Sequence, residues 1–119
     1  MLVFVRDSYL RTRIEAIAQL KKVDPCFAPQ GAQLAQLVKT MNPFMMLVDL
    51  SGLDSGWIFR HISTVRMQKV DFPIVAFVPS MEEALRERAE RYGCNLVLTK
   101  SQVLKKLPKT IDAAFRRNL

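Results

Sequence analysis

Five short apolar runs punctuate the chain, and between them hydrophobic residues recur at helical spacing. The first run, LVFV (2–5), stops at the polar pair Arg6-Asp7; an unbroken run of this length reads as a strand covered on both faces. From Ser8 the period changes. Leu10, Ile14, Ile17 and Ala18 share one face, with Arg11, Arg13, Glu15 and Gln19 between them, which predicts an amphipathic helix of about three turns. Asp7 or Ser8 would cap its free amides.

Pro25 and Pro29 bracket CFA (26–28), a short second strand. In GAQLAQLVKTMN, Leu34, Leu37, Val38 and Met41 form one helical face, and Pro43 ends the helix before the third strand, FMMLVD (44–49). The loop LSGLDSG leads into WIFRHISTVRM, a helix with Trp57 or Ile58, Ile62 and Val65 on one side. IVAFV (74–78), between Pro73 and Pro79, is the fourth strand. Ser80 and Glu83 stand at the spacing of a capping box before MEEALRERAERY, and Gly93 ends that helix. NLVLT (95–99) is the fifth strand, followed by Lys100. In SQVLKKLPKTIDAAFRRN, Pro108 fits a first helical turn, which predicts a short turn before it and the main helix after it.

Apolar strands alternating with helices belong in a parallel sheet covered on both faces, the doubly wound α/β class. No repeat, low-complexity tract or linker interrupts residues 1–119, so one domain fills the chain. A hydrophobic content of 50% with 24% charged residues is that of a soluble domain with a core. The 18 Lys and Arg against 11 acids give a formal charge of +7, which suits an acidic partner, whether nucleic acid, an anionic protein surface or a membrane face. The basic residues come in short groups, the pattern of solvated helix faces. Cys26 and Cys94 form no CxxC; there is no signal peptide and no apolar run near the roughly 20 residues of a bilayer span. A cytoplasmic chain with reduced thiols as core fillers is the expectation.

In a doubly wound sheet, ligands bind beyond the carboxyl ends of the strands, which directs attention to Arg6, Asp7, Asp49, Val78 and Lys100. RDSYLRTR contains no glycine, which disfavours a dinucleotide phosphate loop. There is no GxSxG elbow or CxxxxxR loop, and the lone His61 falls mid-helix, so no nucleophile–base pair supports an enzyme. Asp49 by itself is either a cap for the next element or the reactive end of a site. Trp57, Phe59, Met41, Met45 and Met46 read as core.

LVDL with Asp49, the Gly56 that opens the third helix, and YGCNLVLTK with Lys100 carry a likeness that extends along the whole chain. It resembles the receiver domains of two-component response regulators, of the chemotaxis-regulator type. That resemblance implies a flavodoxin-like (βα)5 fold, five parallel strands in the order 2-1-3-4-5 with five helices. It also implies Asp49 as acceptor of a phosphoryl group from a histidine kinase, acids after the first strand that hold Mg²⁺ with Asp49, a Ser or Thr after the fourth strand, and Lys100 as charge neutraliser. A carboxylate attacking an anionic phosphoryl group needs such cations and donors.

The sequence departs from this pattern at several positions. Arg6 stands where the first of two acids is expected, leaving Asp7 and Asp49 as a weakened metal pair. Val78 replaces the hydroxyl, with Ser80 two residues on; Ser101 replaces a proline, Val97 the switch aromatic, and the loop after Asp49 is one residue short. The Arg6 guanidinium either pairs with Asp49 or Asp7, doing part of the metal's electrostatic work and making Mg²⁺ doubtful, or points to solvent and leaves the pocket merely weakened. The expectation is an atypical receiver acting through protein contacts, on a face of the fourth helix, fifth strand and fifth helix that includes Arg86, Arg88, Arg91 and Val97. The alternative is a working phosphoacceptor. Expected partners are a protein or output domain, a histidine kinase if Asp49 is phosphorylated, and a second copy in a homodimer. A membrane is not expected, and direct nucleic-acid binding ranks lowest, because interleaved aromatics and a recognition motif are lacking. The ending FRRNL reads as a helix running out, whether the chain is a whole protein or the N-terminal receiver of a longer regulator.

Overall fold

The computed structural model describes residues 1–51 and 55–116. Its strands are β1 (Leu2–Phe4), β2 (Cys26–Phe27), β3 (Met46–Asp49), β4 (Ile74–Val78) and β5 (Leu96–Thr99). All pair in parallel, in the order β2-β1-β3-β4-β5. The helices are α1 (Ser8–Leu20), α2 (Leu34–Met41), α3 (Ser55–Arg66), α4 (Glu83–Tyr92) and α5 (Lys100–Phe115), and a 3₁₀ turn, Gly31–Gln33, precedes α2. This is the flavodoxin-like doubly wound sheet.

Because strand side chains alternate, the apolar runs divide between two cores. Leu2, Phe4, Met46, Val48, Ile74, Ala76, Val78 and Val97 face α2, α3 and α4. Val3, Leu47, Val75, Phe77 and Leu98 face α1 and α5. Both faces are covered, which is why no strand shows polar alternation.

Local chemistry sets most boundaries. Asp7 caps α1, accepting from the amides of Tyr9 and Leu10. Gly93 ends α4 at φ 121°, and a Cβ there would lie 2.6 Å from Arg66 Cγ. That closeness lets Arg66 donate to the carbonyls of Gly93 and Phe72 and to Asn95 Oδ1, tying the end of α3 to the start of β5.

Two boundaries correct the sequence reading. Ser80 does not cap α4: Glu82 is the N-cap residue, in extended conformation with no side-chain bond to the helix, and Glu83 pairs with Arg86 instead of closing a capping box. Pro108 lies inside α5, which runs unbroken because Val103, Leu107, Ile111 and Ala114 bury one continuous stripe. The strands β1, β3 and β5 are also shorter than their apolar runs. The loop LSGLDSG falls partly outside the described residues, as does the end of FRRNL. No helix among the described residues is long and apolar enough to cross a membrane.

Candidate functional site

At the carboxyl ends of β1 and β3 the chain diverges, into α1 on one face of the sheet and towards α3 on the other. The crevice this opens is where a doubly wound fold binds its ligands. Asp7 and Asp49 stand at its two sides.

Asp49 closes β3 and is 1% exposed. Its Oδ1 accepts from the Ser51 amide at 2.8 Å, and its Oδ2 accepts from the Arg6 amide at 3.1 Å. A buried carboxylate needs such partners, and here two backbone N–H groups supply them. No cationic group among the described residues lies within ion-pair distance of it.

Arg6 therefore reaches Asp49 with its backbone and not with its guanidinium. The expected ion pair with Asp49 or Asp7 is corrected: the guanidinium carbon sits 5.6 Å from the ring centroids of both Phe4 and Trp57. A weakly hydrated planar cation favours an aromatic face that leaves its other side in water, and Arg6 is exposed. Trp57 is seated by Gly31, where a Cβ would come within 2.8 Å of its Cη2, and it meets the His61 ring in an edge-on contact with centroids 5.0 Å apart.

Asp7 uses Oδ1 to cap α1, while Oδ2 lies 3.7 Å from Lys100 Nζ. Lys100 is the first residue of α5, so the strand end that presents it is also a helix start. Thr99 shapes that start: its hydroxyl accepts from the Gln102 amide while Gln102 Oε1 accepts from the Thr99 amide. The TxxQ spacing that makes this reciprocal cap is the sequence signal for it. Val78 is buried opposite Thr99 in the β4–β5 register and supplies no donor. The two amides that hold Asp49 left no signal in the side-chain pattern at all.

On the expected contact face, Arg86 pairs with Glu83 and Glu90, Arg88 lies 4.9 Å from the Phe59 ring centroid, and Arg91 is exposed. Val97 is corrected. It is buried in the core beneath α4, because its position in β5 turns it inward, and it forms no part of an accessible face.

Solved structures supply the comparison. The receiver domain of a Francisella response regulator superposes with a TM-score of 0.82 at 18% identity, over 99% of this chain and 97% of its own. The signal receiver domain of the putative response regulator NarL from Mycobacterium tuberculosis gives 0.77 at 21%, over 95% and 93%. The response regulator domain of Thermotoga maritima CheB gives 0.75 at 19%, over 97% and 94%. The chain has the receiver-domain fold. No family model and no curated protein matches it. Sequence identity this low carries the receiver fold alone, so the chemistry of the crevice rests on its own residues.

Proposed function

We propose that this chain is a signalling receiver of the two-component type whose Asp49 site is atypical, poorly suited to Mg²⁺-dependent phosphorylation, and whose output is a contact with another protein. The observation that carries the reading is the buried Asp49 carboxylate, held by the amides of Arg6 and Ser51 with no cation among the described residues at ion-pair distance.

Mg²⁺ demands near-octahedral oxygen ligation. Asp7 is committed to capping α1 and to Lys100, Asp49 to two amides, and the described residues contain no group of three metal-ligating side chains. These donors do not fit the ion. Val78 leaves the end of β4 without a hydroxyl, and the buried Val97 leaves β5 without an aromatic, so the usual route from a phosphoryl group to the surface lacks both parts. The protein contact falls to the exposed mixed-charge face of α4, where Arg86, Arg88 and Arg91 set specificity more than strength. The partner is an output domain, another protein or a second copy, in the cytoplasm, and no separate enzymatic activity is assigned to the domain.

A working phosphoacceptor served by a histidine kinase is the second reading, favoured by Lys100 lying at the same edge as Asp49. Incubation with an acyl phosphate and Mg²⁺, followed by intact mass, separates them. The atypical reading expects no adduct. A single added phosphoryl group, lost in Asp49→Ala, would establish the second reading in its place.

A further inference from the structure

The charge of this protein is not spread over its surface. The segments 8–22 and 100–116, which hold α1, α5 and their flanks, contain nine Lys or Arg against two acids, an excess of seven. The rest of the chain contains nine of each, so the whole formal charge of +7 resides on these two segments. They lie together on one side of the sheet, over the same core, and the 2.7 Å Lys21–Asp112 ion pair joins them.

Within that layer some cations are already engaged: Lys21 with Asp112, Lys100 with Asp7, Arg11 over Phe27 and Arg13 over Tyr9. Lys22, Lys105, Lys106, Lys109 and Arg116 are exposed, and no acid among the described residues pairs with them. Lys105 and Lys109 stand one helical turn apart along α5, and Arg116, the C-cap residue, follows seven positions later near the same stripe. Unpaired like charges that close repel one another and gain when an opposite charge is laid along them.

We infer that the outward face of α1 and α5 is a docking surface for an acidic segment of another protein, separate from the Asp49 crevice and from the α4 face. Charge complementarity names the occupant. A second copy does not fit, because the remainder of the molecule is neutral and two such faces repel. A DNA duplex fits poorly, since α5 buries Val103, Leu107, Ile111 and Ala114 in the core and flanks α1, so neither helix projects to enter a groove. A lipid surface asks for an apolar row beside the charges. Here the exposed apolar side chains Tyr9, Leu20 and Phe115 stand at helix ends, not along the charged stripe.

Fluorescence anisotropy of the full chain tests this with three probes: a labelled helical peptide bearing glutamate at every fourth position, a labelled mixed-sequence duplex, and phosphatidylserine-containing vesicles. The variants are Lys105→Glu/Lys106→Glu/Lys109→Glu and a charge-matched control on the opposite layer, Lys39→Glu/Arg60→Glu/Lys69→Glu. Circular dichroism checks folding, and the corresponding Lys→Gln triple replaces the first variant if it fails to fold. The peptide is expected to lose about tenfold in affinity in the α5 triple and less than about twofold in the control, with binding weakened by salt. Equal losses in both triples, absence of peptide binding, or tighter binding of the duplex or vesicles than of the peptide would overturn the inference.

Discussion

Lys100 and Asp7 lie 3.7 Å apart, so the cation that a receiver-type site would set beside its phosphoacceptor leans instead on the carboxylate that caps α1. Both side chains are about one-third exposed, at 32% and 38%, and an ion pair so placed is worth about 0.2 to 1 kcal/mol. Lys100→Met is therefore expected to shift stability by less than about 1 kcal/mol in urea unfolding. Asp49→Ala is different in kind, because it leaves the partly buried amides of Arg6 and Ser51 without their acceptor, at a cost of about 1 to 3 kcal/mol. Asp49→Asn keeps one acceptor and should fall between the two. Equal costs for the alanine and asparagine variants would show that the amides do not depend on the carboxylate.

The Arg6 guanidinium resting on Phe4 and Trp57 makes the only tryptophan of the chain a reporter of the crevice. Arg6→Ala should cost about 0.5 to 1 kcal/mol, the value of an exposed cation–aromatic contact, and shift the Trp57 emission. Arg6→Asp places a second acid next to Asp7 and removes the cation. A saturable Mg²⁺-dependent change in Trp57 fluorescence is expected in that variant and absent from the native chain. The same response in both proteins would mean that Arg6 does not govern metal binding.

Burial pushes the Cys94 thiol up to about 12, opposed in part by the Arg66 guanidinium. The folded state thus holds this proton above the ordinary value of 9.0, so the native state binds more protons than the unfolded one in that interval. By linkage the associated stability is fully present below pH 9 and is lost as pH rises towards about 12. Urea midpoints across this window should fall less steeply in Cys94→Ala than in the native protein. At neutral pH a thiol reagent should modify the half-buried Cys26 well before Cys94. Parallel stability curves for the two proteins would remove Cys94 from the alkaline response.

Much of this was legible before the fold. β4 matches its apolar run residue for residue because Pro73 and Pro79 bound it, and Asp49 and Lys100 were located by the strand ends alone. What escaped was direction. The Arg6 side chain is placed by Trp57, some fifty positions away in the chain and itself seated against Gly31, and no local pattern encodes that meeting. Val97 was misplaced for a related reason: a strand buried on both faces shows no polar alternation to say which way a given residue points. The partners of Asp49 are backbone amides, which a reading of side-chain types does not register.

Pro108 marks the point where tertiary packing overrides a local rule, and it can be tested directly. A proline inside a helix costs about 3 kcal/mol relative to alanine, since it cannot donate to the carbonyl one turn back, here that of Leu104. α5 tolerates it because Val103, Leu107, Ile111 and Ala114 are buried on either side of it, and the Thr110 hydroxyl donates to the Lys106 carbonyl at 2.8 Å. Pro108 itself is half-buried, so replacing it removes little packing. Pro108→Ala is expected to stabilise the protein by about 1 to 3 kcal/mol in urea unfolding. Leu107→Ala, one residue earlier, should destabilise it by about 2 to 5 kcal/mol through the cavity it leaves. A loss of stability in Pro108→Ala would instead mean that the proline ends one helix and begins another, with the ring fixing the turn between them.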